Sequence, residues 1–160
     1  CEICPIHSTC RAFELGIQET LPVRGKRSPI PHYHVTAAII PGGDTVLIAK
    51  RPSEGLLAGM WEFPGGKQEQ GETLPECLVR EIREELSVGI QVGVPAGVYQ
   101  HAYTHFSVTL HSFHCSLLDD NIQLTEHTDW TWAPITDLEE YPMGKLDRMI
   151  AADLQTPRKV

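Results

Sequence analysis

The 160-residue chain has no long apolar run and no stretch that reads as a signal peptide. The expectation is therefore a soluble, cytoplasmic protein with no membrane partner. Positive charge is also scarce. Thirteen basic against 21 acidic side chains leave a net charge of −8, which disfavours non-specific attachment to a nucleic-acid backbone by this piece alone. Cysteine is sparse, and its odd number, 5, rules out complete internal pairing. Methionine is missing from position 1, so the chain is expected to be a fragment or a processed product. What is present, 41% apolar residues over this length, suits one globular domain plus a tail.

Six acids lie between Glu69 and Glu85, so much of the charge imbalance belongs to one stretch, WEFPGGKQEQGETLPECLVREIREELSVGI. Thr73 with Glu76 three residues on predicts a capping box and a helix starting near Leu74, with Pro75 harmless in its first turn. Leu74, Leu78, Ile82 and Leu86, with Cys77 beside them, give that helix one apolar stripe. Glu81, Glu84 and Glu85 share its other face, where like charges oppose helix formation by roughly 0.2–0.5 kcal/mol per pair. Glu72 reaches the same region, and Arg80 and Arg83 flank it. An ordinary helix of this kind would be a solvated Arg–Glu lattice. The Gly65-Gly66 bend changes that reading, because a tight turn can aim a backbone carbonyl at the carboxylates. Oxygen ligands of this kind suit Mg²⁺ or Mn²⁺, which keep several waters and bridge to phosphates.

Gly66, Glu72, Arg80-Glu81-Ile82, Glu84-Glu85 and Val88 stand at the spacing of the Nudix box, G-x5-E-x7-R-E-U-x-E-E-x-G-U. Six fixed matches at one site arise by chance about once in 10⁷ if each residue type has a frequency of roughly one in fifteen. The stretch resembles that family except at one position: the late glycine is Ser87. A glycine there ends the helix in a left-handed conformation, which serine tolerates less well. The resemblance implies a Nudix fold and Mg²⁺- or Mn²⁺-dependent hydrolysis of a nucleoside diphosphate linkage, as in 8-oxo-dGTP or a related triphosphate. It implies metal ligands among Gly65, Gly66, Glu72, Glu81, Glu84 and Glu85. The catalytic roles fall to Glu81, Arg80 and Glu126, the last a loop carboxylate before Trp130.

Other parts of the chain resemble the adenine DNA glycosylases of the MutY type. Cys1, Cys4 and Cys10 form C-x2-C-x5-C, similar to the last three ligands of those enzymes' [4Fe–4S] loop; the fourth would lie in a longer parent chain. Residues 20–31, with three prolines and Arg24, Lys26 and Arg27, read as a basic linker suited to a DNA backbone. Tyr103, Thr104 and His105 match the loop with which that family contacts 8-oxoguanine. Lys145 stands where MutT-type enzymes place a purine-reading Asn. The organisation expected is a tail over residues 1–17, a linker over 18–32 and a Nudix domain over 33–156.

Strands are predicted over residues 32–40, 45–51, 60–63, 90–92, 97–100, 106–115 and 130–132, with a hairpin turn at Gly42-Gly43-Asp44 and a terminal helix over 145–154. Within 106–115 the apolar phase changes from Phe106, Val108 and Leu110 to His111, Phe113 and Cys115, which implies a bulge or burial on both faces. The fold class expected is α+β, an α/β/α sandwich with a mixed sheet. The first functional expectation is the Nudix domain of a MutY-type glycosylase that reads 8-oxoguanine in damaged duplex DNA, with Mg²⁺-dependent hydrolysis of 8-oxo-dGTP. The alternatives are a stand-alone MutT-like nucleotide pyrophosphohydrolase and a non-catalytic lesion reader.

Overall fold

A computed structural model describes residue 1 and residues 3–21 and 30–156. The chain divides into two compact units, Cys1–Ile30 and Pro31–Val160. In the first, 3-10 turns at His7–Thr9 and Gln18–Thr20 flank a one-turn helix, α1 (Arg11–Glu14). Most of the expected basic linker, including Arg24, Lys26 and Arg27, lies outside the described residues.

The second unit is built on β1 (His32–Ile39), β2 (Pro41–Gly42), β3 (Thr45–Lys50), β4 (Trp61–Glu62), β5 (Ile90–Ala102), β6 (Ser107–Leu117) and β7 (Asp129–Pro134). Two helices pack on them, α2 (Leu74–Leu86) and α3 (Lys145–Gln155). One sheet has the order β1-β6-β5, with β1 parallel to β6 and β5 antiparallel to it. The other centres on β3, which pairs antiparallel with β2, β4 and β7. The second half of β1, the middle of β3 and much of β6 are buried on both faces, as covering by helices on two sides requires. Ala37, Ile39, Val46, Ile48, Val108 and Leu110 point to the layer of α3, with Leu138, Leu146 and Ile150. Ala38, Ile40, Leu47, Ala49, Phe113 and Cys115 point to Leu78, Ile82 and Leu86 of α2. The sandwich expected from the sequence is the one observed.

The phase change in β6 is resolved by this layering. Val108 and Leu110 serve one core and Phe113 and Cys115 the other, so β6 itself stays in phase. The irregularity lies in its partner: the register of β5 shifts between Val92 and Pro95 and again between Pro95 and Gly97. Two short predicted strands are thus one bulged strand. Cys77 and Cys115 are buried thiols whose pKa values burial pushes up to about 11.

Helix α2 starts as the sequence indicates. Thr73 Oγ1 accepts from the Glu76 N–H at 3.4 Å, and the Thr73 N–H donates to Glu76 Oε2 at 2.8 Å. It ends on Ser87 at φ 57°, ψ 24°, so a non-glycine residue occupies the left-handed cap.

Candidate functional site

The chain before α2 runs back along β1. Ala38 N–H donates to the Pro64 carbonyl and Thr36 N–H to that of Gly66, both at 2.8 Å, and Gln68 N–H donates to the His34 carbonyl at 2.9 Å. The two glycines between them are required for different reasons. Gly65 has φ +144°, and a Cβ there would strike the Thr36 carbonyl oxygen. A Cβ on Gly66 would fall on the Glu81 carboxylate instead. The Gly66 carbonyl already accepts from Thr36 N–H and, at 3.3 Å, from Thr36 Oγ1.

Arg80 ties three of the glutamates together. Its Nη2 lies 2.7 Å from Glu72 Oε1 and its Nε 3.1 Å from Oε2, while Nη1 lies 2.9 Å from Glu81 and 3.2 Å from Glu84. Hydrogen bonds from Arg80, then from the Glu69 N–H, hold the Glu72 carboxyl down at about 2. Glu72, expected among the metal ligands, therefore has both oxygens committed to anchoring Arg80. Glu81 is half-buried, and burial raises its pKa although Arg80 opposes the shift. Glu84 is the outermost, its side chain 56% exposed.

Glu85 is different. It is 7% exposed, accepts one hydrogen bond from the Gly65 N–H at 3.0 Å, and has its pKa pushed up to about 9. Burial is the main cause, and Glu62, Glu81 and Glu126 add repulsion. Glu126 reaches this region because its loop caps the end of α2. Gln123 N–H donates to the Leu86 carbonyl and Thr125 N–H to the Glu85 carbonyl, two groups that the helix cannot satisfy itself. The same loop buries His127, whose Nε2 lies 2.8 Å from Glu62 Oε1; Arg51 Nη1 lies 2.6 Å from the other oxygen of Glu62.

Glu62, Glu85 and His127 each bring one ligand atom within 4.8 Å of the others, the one such group among the described residues. A buried carboxylate with a single N–H donor among like charges fits a hard divalent cation, which would supply the missing positive charge. Cys1, Cys4 and Cys10 are free thiols and are not gathered in this way among the described residues.

A cavity of about 400 Å³ opens beside these groups. Gly65, Gly66, Lys67, Glu62 and Glu85 line one part of it; Tyr33, Tyr103, Phe106 and Leu56 line another. Tyr103 stacks on Phe106 with ring centroids 4.6 Å apart. Thr104 and His105, by contrast, sit exposed in the turn between β5 and β6, where Tyr103 N–H donates to the Phe106 carbonyl at 2.8 Å. Lys145 is exposed; two residues later Asp147, 8% exposed, lines the cavity and accepts from the Phe63 N–H at 3.1 Å. Burial, then Glu62, lifts the Asp147 carboxyl to about 7.

Sequence reasoning missed Arg51, Glu62, His127 and Asp147. Glu62 stands in a two-residue strand, too short for any alternation. Asp147 occupies the first turn of a helix, where acids are ordinary. His127 had one available signal, its adjacency to Glu126.

A profile of the NUDIX domain matches residues 35–153. The CTP pyrophosphohydrolase of Escherichia coli K12 is 35% identical over 113 residues, covering 71% of this chain and 84% of that protein. A putative 8-oxo-dGTP diphosphatase 2 of Mycobacterium tuberculosis is 34% identical over 121 residues, 75% of this chain and 86% of that one. The crystal structure of a MutT protein from Methanosarcina mazei superposes with a TM-score of 0.74 at 24% identity, over 84% of this chain and all of that one, a likeness of fold. With the motif, the layered fold and these relatives in agreement, the chain belongs to the Nudix family and is a Nudix hydrolase.

Proposed function

We propose that this chain is a MutT-like pyrophosphohydrolase that cleaves a diphosphate linkage of a nucleoside triphosphate, with 8-oxo-dGTP and CTP as first candidates. One observation carries the reading: a single cavity joins an aromatic wall to the acidic end of α2. A base stacks against Tyr103 and Phe106 with its polar edge toward Asp147 and Glu62, and the phosphates extend past Lys67. Near neutrality Asp147 offers both a donor and an acceptor, and that pairing suits a nucleobase edge.

Glu84, Glu85 and Glu126, with the carbonyl of Gly65 rather than the engaged one of Gly66, would hold Mg²⁺ or Mn²⁺. When bound, the ion polarises a phosphoryl oxygen and acidifies a water. Glu81, half-buried and with its pKa raised, would serve as the general base. Arg80 fixes the direction of the Glu81 carboxylate, and Glu72 fixes Arg80.

The relatives named above are a pyrophosphohydrolase and a diphosphatase, and they favour this reading over the glycosylase one. The role of Tyr103-Thr104-His105 in reading 8-oxoguanine in duplex DNA gains no support from them, nor does a [4Fe–4S] cluster on Cys1, Cys4 and Cys10. The assignment of residues 33–156 as the catalytic domain, with a linker over 18–32, is part of the same proposal. The test is pyrophosphate release with Mg²⁺ from 8-oxo-dGTP, CTP and dGTP, with formation of AMP and ribose 5-phosphate as the readout for ADP-ribose. Glu81→Gln should lower kcat by about 10²–10⁴-fold with KM little changed, as loss of a general base requires. No release from any triphosphate, or full activity in the variant, would defeat the proposal.

A further inference from the structure

In the parallel pairing of β1 with β6, His34 lies opposite Thr109 and Thr36 opposite His111. The face of β1 that holds Ala38, and that of β6 that holds Phe113 and Cys115, pack against α2. Toward the starts of both strands the same face carries histidines instead. Ring centroids are 5.1 Å apart for His32 and His34 and 5.4 Å for His34 and His111. His34 Nδ1 and His111 Nε2 stand 3.1 Å apart. Both nitrogens of His32 are engaged, Nδ1 with Ser107 Oγ at 2.9 Å and Nε2 with Thr109 Oγ1 at 3.1 Å. That ring is a brace, which leaves the other two as a pair.

Imidazole nitrogens bind a zinc-like ion at about 2.0–2.1 Å, so two in neighbouring coordination positions lie roughly 3.0–3.4 Å apart. We propose that His34 Nδ1 and His111 Nε2 form a two-nitrogen site for a divalent transition metal of the Zn²⁺, Ni²⁺ or Cu²⁺ class, bridging β1 and β6. Imidazole suits these ions, whereas Mg²⁺ prefers the oxygen ligands at the end of α2, so the two sites differ in the metal they select. At 3.1 Å one ring donates its N–H to the other. Coordination needs the donor to carry that proton on its other nitrogen, a tautomer change with no net proton release.

The measurement is a long-range ¹H–¹⁵N spectrum of the histidine rings in the full chain, with saturating Mg²⁺ and Zn²⁺ added stepwise. Free thiols such as Cys1, Cys4 and Cys10 can also bind zinc, so the readout is the ring nitrogens and not the total bound. His34 Nδ1 and His111 Nε2 should shift together, with His32 unmoved. His34→Gln and His111→Gln should each weaken the response of the remaining ring by at least about tenfold and leave triphosphate hydrolysis unchanged. Ni²⁺ should broaden the backbone amides of both residues in the unmutated chain, a check that needs no variant. Unshifted rings while the cysteines fill, or a response of one ring that survives loss of the other, would overturn the site.

Discussion

At the scale of single residues, the site depends on contacts between groups distant in sequence. Gly66 is an example: its missing side chain is the space in which the Glu81 carboxylate lies. A Gly66→Ala variant should displace that carboxylate, a flexible end, while leaving the backbone in place. The expected result is a fall of tenfold or more in kcat, with the free energy of unfolding in urea within about 0.5 kcal/mol of wild type, the range usual for changes outside the core. Gly65→Ala would meet backbone and a disfavoured φ, so it should lose stability as well as activity. Asp147 makes a prediction about pH. Its folded pKa, about 7, lies above the ordinary carboxylate value, so the folded state holds the proton more tightly. Its contribution is therefore full below about pH 4 and is lost as pH rises through 7. Glu62 and Arg51 are the charges that act on it, with opposite signs. Asp147→Asn should gain on wild type in urea midpoint between pH 5 and pH 8. An unchanged difference across that range would mean that Asp147 ionises normally.

At the scale of elements, α2 has a strong start and a poor finish. The Thr73–Glu76 box and Pro75 make the first turn self-sufficient, and the loop bearing Glu126 and His127 covers carbonyls at the last. Between them Ser87 holds a left-handed conformation that costs a non-glycine residue roughly 1–2 kcal/mol. Ser87→Gly should relieve most of this, raising stability by roughly 1 kcal/mol once the entropy of glycine is set against it. Urea unfolding would read the gain directly. Because the cap adjoins the loop that carries Glu126, kcat should stay within twofold only if that loop keeps its bonds to Glu85 and Leu86.

At the scale of the whole molecule, repulsion around Glu85 links metal binding to stability. Glu62, Glu81 and Glu126 all oppose its charge, and one N–H compensates. Mg²⁺ should therefore raise the melting temperature in a concentration-dependent way, as any ligand of the folded state alone does. Glu85→Gln should melt higher than wild type in EDTA and lose most of the response to Mg²⁺. A variant that keeps the full response would move the ion away from Glu85.

The helix, its cap, its apolar stripe and the family were legible in the sequence because all of them lie within one continuous stretch, Gly66–Val88. Strands β1 and β3 with the turn between them, and the terminal helix, were legible for the same reason. Tertiary structure alone decided the rest. It made residues 90–102 one bulged strand, because the neighbour of β5 is β6 and its pattern is set by that pairing. It bonded Glu72 to Arg80 and brought Tyr103 to the cavity without Thr104 or His105. It also assembled Arg51, Glu62, His127 and Asp147 from four segments. Local spacing dictates which face of an element a side chain takes; the packing of elements far apart in the chain dictates which charges meet and which are buried. The first is written in one dimension, and the chemistry of this pocket depends on the second.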